Sequence, residues 1–218
     1  MDGLRGQEII EFFDADWDDE YNRMCVSRAV AAYEKAEDIC RSNLTDNAAH
    51  GAVGHLKRAI LQDMLAFAAP QRGINATWEK NKNRSDDHVE LARGRVRLTI
   101  SAVEHPSITP QDALFRHTLA KDSQAAFIGE GWPVHERPIP NGTPLFGIIT
   151  HGRLDGDDIY GLPGFLNISF PNDECTKYLA IISLFKRYPD LPEVKRIEEV
   201  RREIAFRRLQ QKTNRRGG

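Results

Sequence analysis

The stretch HVELARGRVRLTI, residues 88–100, holds two short runs of alternating apolar and polar residues on either side of Arg93-Gly94. Successive side chains of a strand point to opposite faces. The second run therefore places three apolar residues on one face: Val96, Leu98 and Ile100. Glycine accepts the positive φ that a tight turn requires, and Gly94 stands where that turn is needed. The stretch predicts a β-hairpin whose other face is polar and basic.

A second hairpin is predicted by two further apolar runs, residues 145–150 and 165–170, joined by a long polar loop. Two hairpins, rather than alternating strands and helices, favour an antiparallel sheet with helices on one side. The predicted class is α+β, with an N-terminal helical hairpin, an antiparallel sheet built from two β-hairpins, and C-terminal helices.

The first seventy residues have the three- and four-residue spacing of helices. A short helix is expected over residues 7–13, and a longer one follows from an Asp16 N-cap to about Arg41. The next helix begins at Thr45 or Asp46 and ends at Pro70 and Gly73. Its predicted buried face is a stripe of apolar residues: Val53, Leu56, Ile60, Met64 and Phe67. We expect a helical region over residues 1–73 and an α+β region over 74–218, which could also form one continuous domain.

Four segments complete the predicted order of elements. Residues 74–87 are expected to form a polar connection, and a helix is expected from Gln111 to about Phe127. Another helix is predicted from Asp173 or Glu174 to Lys186. The chain closes with a basic helix that begins at residues 190–193, where Pro192 suits a first turn.

Composition describes an ordinary globular chain, with 40% hydrophobic and 28% charged residues. There is no run of 18 apolar residues, so no membrane span is expected. The acidic N-terminus does not resemble a secretory signal. Cys25, Cys40 and Cys175 form no CxxC pair, which favours free thiols in a reducing compartment. We expect a soluble cytoplasmic protein.

The stretch ITHGRLDGDD, residues 149–158, gathers an imidazole, a guanidinium and three carboxylates. One interpretation is a hydrolase or nuclease site, with His151 as general base and Arg153 as anion clamp. His117 on the middle helix, or Asp157, would assist. The other interpretation is a polar turn, because Asp and Gly are common turn residues. The sequence leaves both open.

Other catalytic and metal-binding motifs are missing. The sequence has no GxxxxGK[ST], GxGxxG, HExxH or GxSxG. The aspartates at 155–158 do not have the spacing of an EF-hand loop. His50 and His55 are five residues apart, so they do not form an HxxxH pair on one helix face. We therefore expect no metal and no cofactor.

Charge is uneven along a chain whose net charge is −2. Residues 1–20 are strongly acidic, whereas residues 186–218 are basic, so the two ends could attract each other. Alternatively, the basic residues could contact nucleic-acid phosphates. The candidates for that contact are Arg93, Arg95, Arg97, Arg201, Arg202 and Arg208. The leading expectation is a binding or regulatory module acting through a partner protein or a nucleic-acid backbone, with a homodimer possible.

Overall fold

The computed structural model describes residues 2–80, 87–110, 113–121, 123, 144–153 and 161–216. The helices are α1 (Asp2–Asp16), α2 (Asp19–Asn43), α3 (Asp46–Ala68), α4 (Leu114–Lys121), α5 (Leu184–Arg187) and α6 (Pro192–Arg216). The strands are β1 (Asn75–Lys80), β2 (Asp87–Arg93), β3 (Val96–Ala102), β4 (Leu145–Gly152), β5 (Phe165–Pro171) and β6 (Tyr178–Ser183).

The described strands form one six-stranded sheet in chain order, and the α+β class is confirmed. Both predicted hairpins are present as the antiparallel pairs β2–β3 and β4–β5. The prediction of a wholly antiparallel sheet is corrected at one junction, because β3 and β4 run parallel. A parallel pair needs a crossover connection. Residues 103–144 supply it, and α4 lies within them.

The two faces of β4 pack against different helices. Leu145 and Ile149 belong to the main core together with buried residues of α1, α2 and α3. Phe146 and Ile148 point the other way and pack against Ala120 of α4. Since side chains alternate along a strand, His151 shares the face of Leu145 and Ile149.

The helical hairpin of α2 and α3 is close to its prediction, with two differences. Asp18, rather than Asp16, is the N-cap of α2, and its side chain accepts a hydrogen bond from Tyr21 N at 2.7 Å. The buried face of α3 is also rotated from the predicted one. Phe67 is 76% exposed, whereas Lys57 is buried between Val53 and Leu61 on the helix surface.

Two strands replace elements that the sequence predicted differently. The polar connection contains β1, an edge strand that is mostly exposed and therefore has no apolar pattern. The helix predicted before Lys186 is instead β6 followed by the short α5. The Asn172 side chain closes a tight turn before β6 by accepting hydrogen bonds from the backbone of Thr176 and Lys177.

The main core joins residues from both predicted regions, from Ile9 of α1 to Ile197 of α6. The proposed division at residue 73 stays a prediction. The helix predicted to end near Phe127 is observed as α4, and residues 124–127 lie outside the described part of the chain. Among the described residues, no helix combines the length and apolar character that a bilayer crossing needs.

Candidate functional site

A cavity of about 520 Å³ opens at the carboxyl ends of the parallel strands β3 and β4. The first half of α3 and Tyr33 of α2 form other parts of its wall. In sheets with parallel strands, ligands bind preferentially beyond the carboxyl ends of those strands. The polar side chains that line it are Tyr33, His50, His55, Lys57, Arg58, Glu104, His151 and Arg153.

His151 is the most deeply buried polar group of this cavity. It is fully buried, and its Nδ1 forms a hydrogen bond of 3.1 Å with the hydroxyl of Tyr33. The two rings meet edge to face, with centroids 5.8 Å apart. The other ring nitrogen, Nε2, is also buried and has no hydrogen-bond partner among the described residues. Buried polar atoms in proteins nearly always have a hydrogen-bond partner, so an unpartnered one requires an explanation.

Positive charge surrounds this imidazole. Lys57 lies 4.4 Å from the centroid of the Tyr33 ring, and its Nζ donates to the Gly161 carbonyl at 3.4 Å. Burial, together with the charges of Lys57 and Arg58, lowers the pKa of His151 to about 3. The ring is therefore neutral near pH 7 and is a weak base there.

The end of β4 is held in place on both sides. Val103 N donates to the His151 carbonyl at 3.0 Å, and Gly164 N donates to the Gly152 carbonyl at 2.8 Å. Gly152 has no room for a side chain, since a Cβ there would overlap the Val103 carbonyl oxygen. The position of His151 is thus set by the backbone of two neighbouring segments, at Val103 and at Gly164.

Two of the four residues predicted for catalysis come together. His151 and Arg153 line the same cavity. His117 belongs to α4, which packs on the opposite face of the sheet, and it does not line this cavity. Its predicted pairing with His151 stays a prediction. Asp157 lies outside the described residues.

The arginines of the first hairpin contact acidic residues of this chain. Arg93 lies 3.4 Å from a carboxylate oxygen of Asp18, and Arg95 lies 3.0 Å from one of Asp16. Arg97 forms an ion pair with Glu90 on the neighbouring strand. The acidic N-terminal segment thus pairs with the first hairpin. The expected pairing with the basic C-terminal end is formed by Arg187, which lies 2.8 Å from a carboxylate oxygen of Asp14.

The basic residues of α6 lie elsewhere. Arg201 contacts Glu198 and the Gly164 carbonyl, beside the end of β4. The Arg95 carbonyl accepts a hydrogen bond from Leu145, the first residue of β4. Eight residues of strand separate these points by roughly 23 Å. Arg202 and Arg208 are exposed on α6, and their contact with nucleic acid stays a prediction.

Sequence reasoning did not assign six of the polar lining residues to a site: Tyr33, His50, His55, Lys57, Arg58 and Glu104. Lys57 carried a usable signal, because a lysine between Val53 and Leu61 at four-residue spacing interrupts an apolar stripe. Such a lysine is rarely buried without a polar partner. Tyr33 carried none, since its position is equally suitable for a core aromatic residue.

Comparison with known proteins finds no match for this chain, whether among family models, curated proteins or solved structures. The described residues also contain no group of three or more His, Cys, Asp or Glu side chains placed to hold a metal ion. The function proposed below therefore depends on the cavity itself.

Proposed function

We propose that this chain is a binding module that holds a small anionic ligand in the cavity at the ends of β3 and β4. One observation carries the proposal. Lys57, Arg58 and Arg153 line the same cavity as His151, a residue whose Nε2 is buried and has no hydrogen-bond partner among the described residues. The proposed place of action is the reducing cytoplasm, where the thiols remain free.

The hydrogen bond to Tyr33 gives the imidazole a defined role in this proposal. Burial raises the pKa of Tyr33, so its phenol keeps its proton. A hydroxyl that donates to Nδ1 leaves the imidazole proton on Nε2. Nε2–H of His151 then acts as a donor toward an oxyanion in the cavity. Lys57 and the two arginines would supply charge-assisted hydrogen bonds to the same anion.

Titration of the full chain with inorganic phosphate and sulfate, followed by calorimetry, tests the proposal. Arg153→Gln removes a cavity cation at an exposed position, so it should fold normally. We expect it to weaken phosphate binding by about tenfold, the effect of losing one charged hydrogen bond. Arg202→Gln is the matched control, because Arg202 lies on α6 and does not line the cavity.

Two results would contradict this proposal. The first is that neither anion binds the wild-type chain. The second is that Arg202→Gln weakens phosphate binding as much as Arg153→Gln does, which would place the anion outside the cavity. Binding that is lost in Arg153→Gln and retained in Arg202→Gln supports the cavity.

A hydrolase is the second candidate, and the shared cavity of His151, Arg153 and Glu104 favours it. A general base works best with a pKa near the working pH. The lowered pKa of His151 makes it a poor base at pH 7, which is why binding ranks first. Release of phosphate from a generic phosphomonoester, lost in His151→Gln, would favour the hydrolase.

The broader expectation of a partner protein, a nucleic-acid backbone or a homodimer stays a prediction. Arg202 and Arg208, two of the residues named for this role, are exposed on α6. A salt series of binding to mixed DNA and RNA distinguishes such a surface from the cavity, since phosphate-backbone contacts weaken steeply with salt.

A further inference from the structure

Two glycines on the cavity wall have no explanation in the packing of the fold. Gly51 and Gly54 lie three residues apart on α3, so they share one helix face, and both line the cavity. A Cβ added at either position would meet nothing within 4 Å. Glycine inside a helix costs about 1 kcal/mol relative to alanine. Alanine would therefore fit both sites and stabilise the helix.

The size of the cavity exceeds the needs of a simple oxyanion. One water occupies about 30 Å³ in the liquid, and a tetrahedral oxyanion takes the space of only a few waters. The cavity measures about 520 Å³, within the range typical of organic ligands. Part of its lining is also uncharged, because Ala102 and Val103 at the end of β3 contribute to it.

We infer that the ligand is a flat ring joined to an anionic group, and this rests on the proposed anion binding. The anion lies among Lys57, Arg58, Arg153 and Nε2 of His151. The ring lies against α3 at Gly51 and Gly54, beside His55 and Arg58 on the same helix face. The backbone at two neighbouring glycines offers a small flat patch that a planar body can approach closely. His151, which lines the same cavity, has a fully buried ring with an unpartnered Nε2, and this observation does not depend on the glycines.

Three phosphate probes and two carboxylates test this inference on the full chain. Inorganic phosphate carries the anion alone, ribose 5-phosphate adds a sugar, and adenosine monophosphate adds a flat base. Benzoate joins a ring to a carboxylate instead. We expect adenosine monophosphate to bind at least about tenfold more tightly than ribose 5-phosphate, given typical binding energies per ligand atom. Benzoate binding that exceeds acetate binding would point to a carboxylate ligand.

The decisive variant is Gly54→Leu, which places a side chain on the proposed ring wall. It should weaken binding of adenosine monophosphate by about tenfold or more through steric exclusion. Binding of inorganic phosphate should not change. Ala59→Leu is the matched control, since Ala59 is exposed on the same helix and does not line the cavity. Gly54→Ala provides a milder variant, which should melt at a higher temperature than the wild type.

The outcomes separate the two proposals. If phosphate binds but no ring compound binds more tightly, the ring inference is wrong and anion binding stands. The ring inference also fails if Gly54→Leu and Ala59→Leu have equal effects on adenosine monophosphate. If no anion binds at all, both proposals fail together.

Discussion

Tyr33 on α2 and His151 on β4 form a buried hydrogen bond across 118 residues of sequence, with 3.1 Å between the hydroxyl and Nδ1. This contact connects the helical layer to the end of the parallel strand pair. It also fixes the orientation of the imidazole, because a ring nitrogen in a buried site needs a partner. The candidate site is therefore built from the contact between two layers rather than from one motif.

Tyr33→Phe should lower the free energy of unfolding by about 1–3 kcal/mol, because it leaves Nδ1 of His151 buried without a partner. Urea denaturation measures the change. Tyr178→Phe is the control, since the Tyr178 hydroxyl donates to the Ile108 carbonyl in an exposed position. We expect it to cost less than about 1 kcal/mol. Equal losses in the two variants would contradict a special role for the Tyr33 contact.

His151 should make the protein less stable as the pH falls below about 6.5. Burial first, then the charges of Lys57 and Arg58, lowers the folded-state pKa to about 3, whereas an unfolded histidine titrates near 6.5. Between these values the unfolded chain binds more protons than the folded chain, so protonation favours unfolding. The contribution of neutral His151 to the free energy of unfolding is therefore present above pH 6.5 and is lost as the pH falls toward 3.

The measurement compares wild type with His151→Gln, which cannot titrate. We expect the wild type to lose about 2 kcal/mol relative to the variant between pH 7 and pH 5. Arg153, Glu104 and Tyr33 also face this cavity, but all of them remain in the variant. Parallel pH profiles for the two proteins would show that the folded state accepts the proton on His151 without penalty.

Local periodicity was sufficient to predict much of the fold. The hairpin around Gly94 and the helix predicted to end near Arg41 depend on neighbouring residues, and both are present. The helix predicted for the segment that forms β6 is wrong for a physical reason. Leu179, Ile182 and Phe185 are spaced three apart, as on a helix, and pairing with β5 overrides that pattern. The parallel β3–β4 junction also depends on tertiary contacts that local spacing does not contain.

The site was only partly predictable. Polar residues directly after an apolar run indicate a site at the end of a strand. His151 and Arg153 follow such a run, and they share a cavity. Local spacing does not show which face of the sheet a helix covers. The helix that carries His117, α4, packs on the face opposite the main core. The parallel junction places the ends of β3 and β4 opposite α3, and this brings Lys57 to His151.

Gly152→Ala should destabilise the protein by at least about 3 kcal/mol or prevent folding. A Cβ at this position would overlap the Val103 carbonyl oxygen and lie 2.8 Å from the Phe165 ring. The backbone has little freedom to move, because hydrogen bonds hold it on both sides. Gly51→Ala is the matched control and should gain about 0.5–1 kcal/mol, since its Cβ meets open space. Urea denaturation of both variants checks the contrast, and a stable Gly152→Ala protein would refute this packing.

Arg95→Gln should affect stability and leave nucleic-acid affinity unchanged. Arg95 lies 3.0 Å from Asp16 and 4.0 Å from the centroid of the Phe12 ring, so its charge already has partners within the chain. Loss of both contacts should cost about 1 kcal/mol. Arg202→Gln provides the contrast for DNA binding across a salt series, and it should reduce the salt slope by about one if α6 contacts phosphates. Weaker DNA binding by Arg95→Gln than by Arg202→Gln would instead place the nucleic-acid surface on the first hairpin.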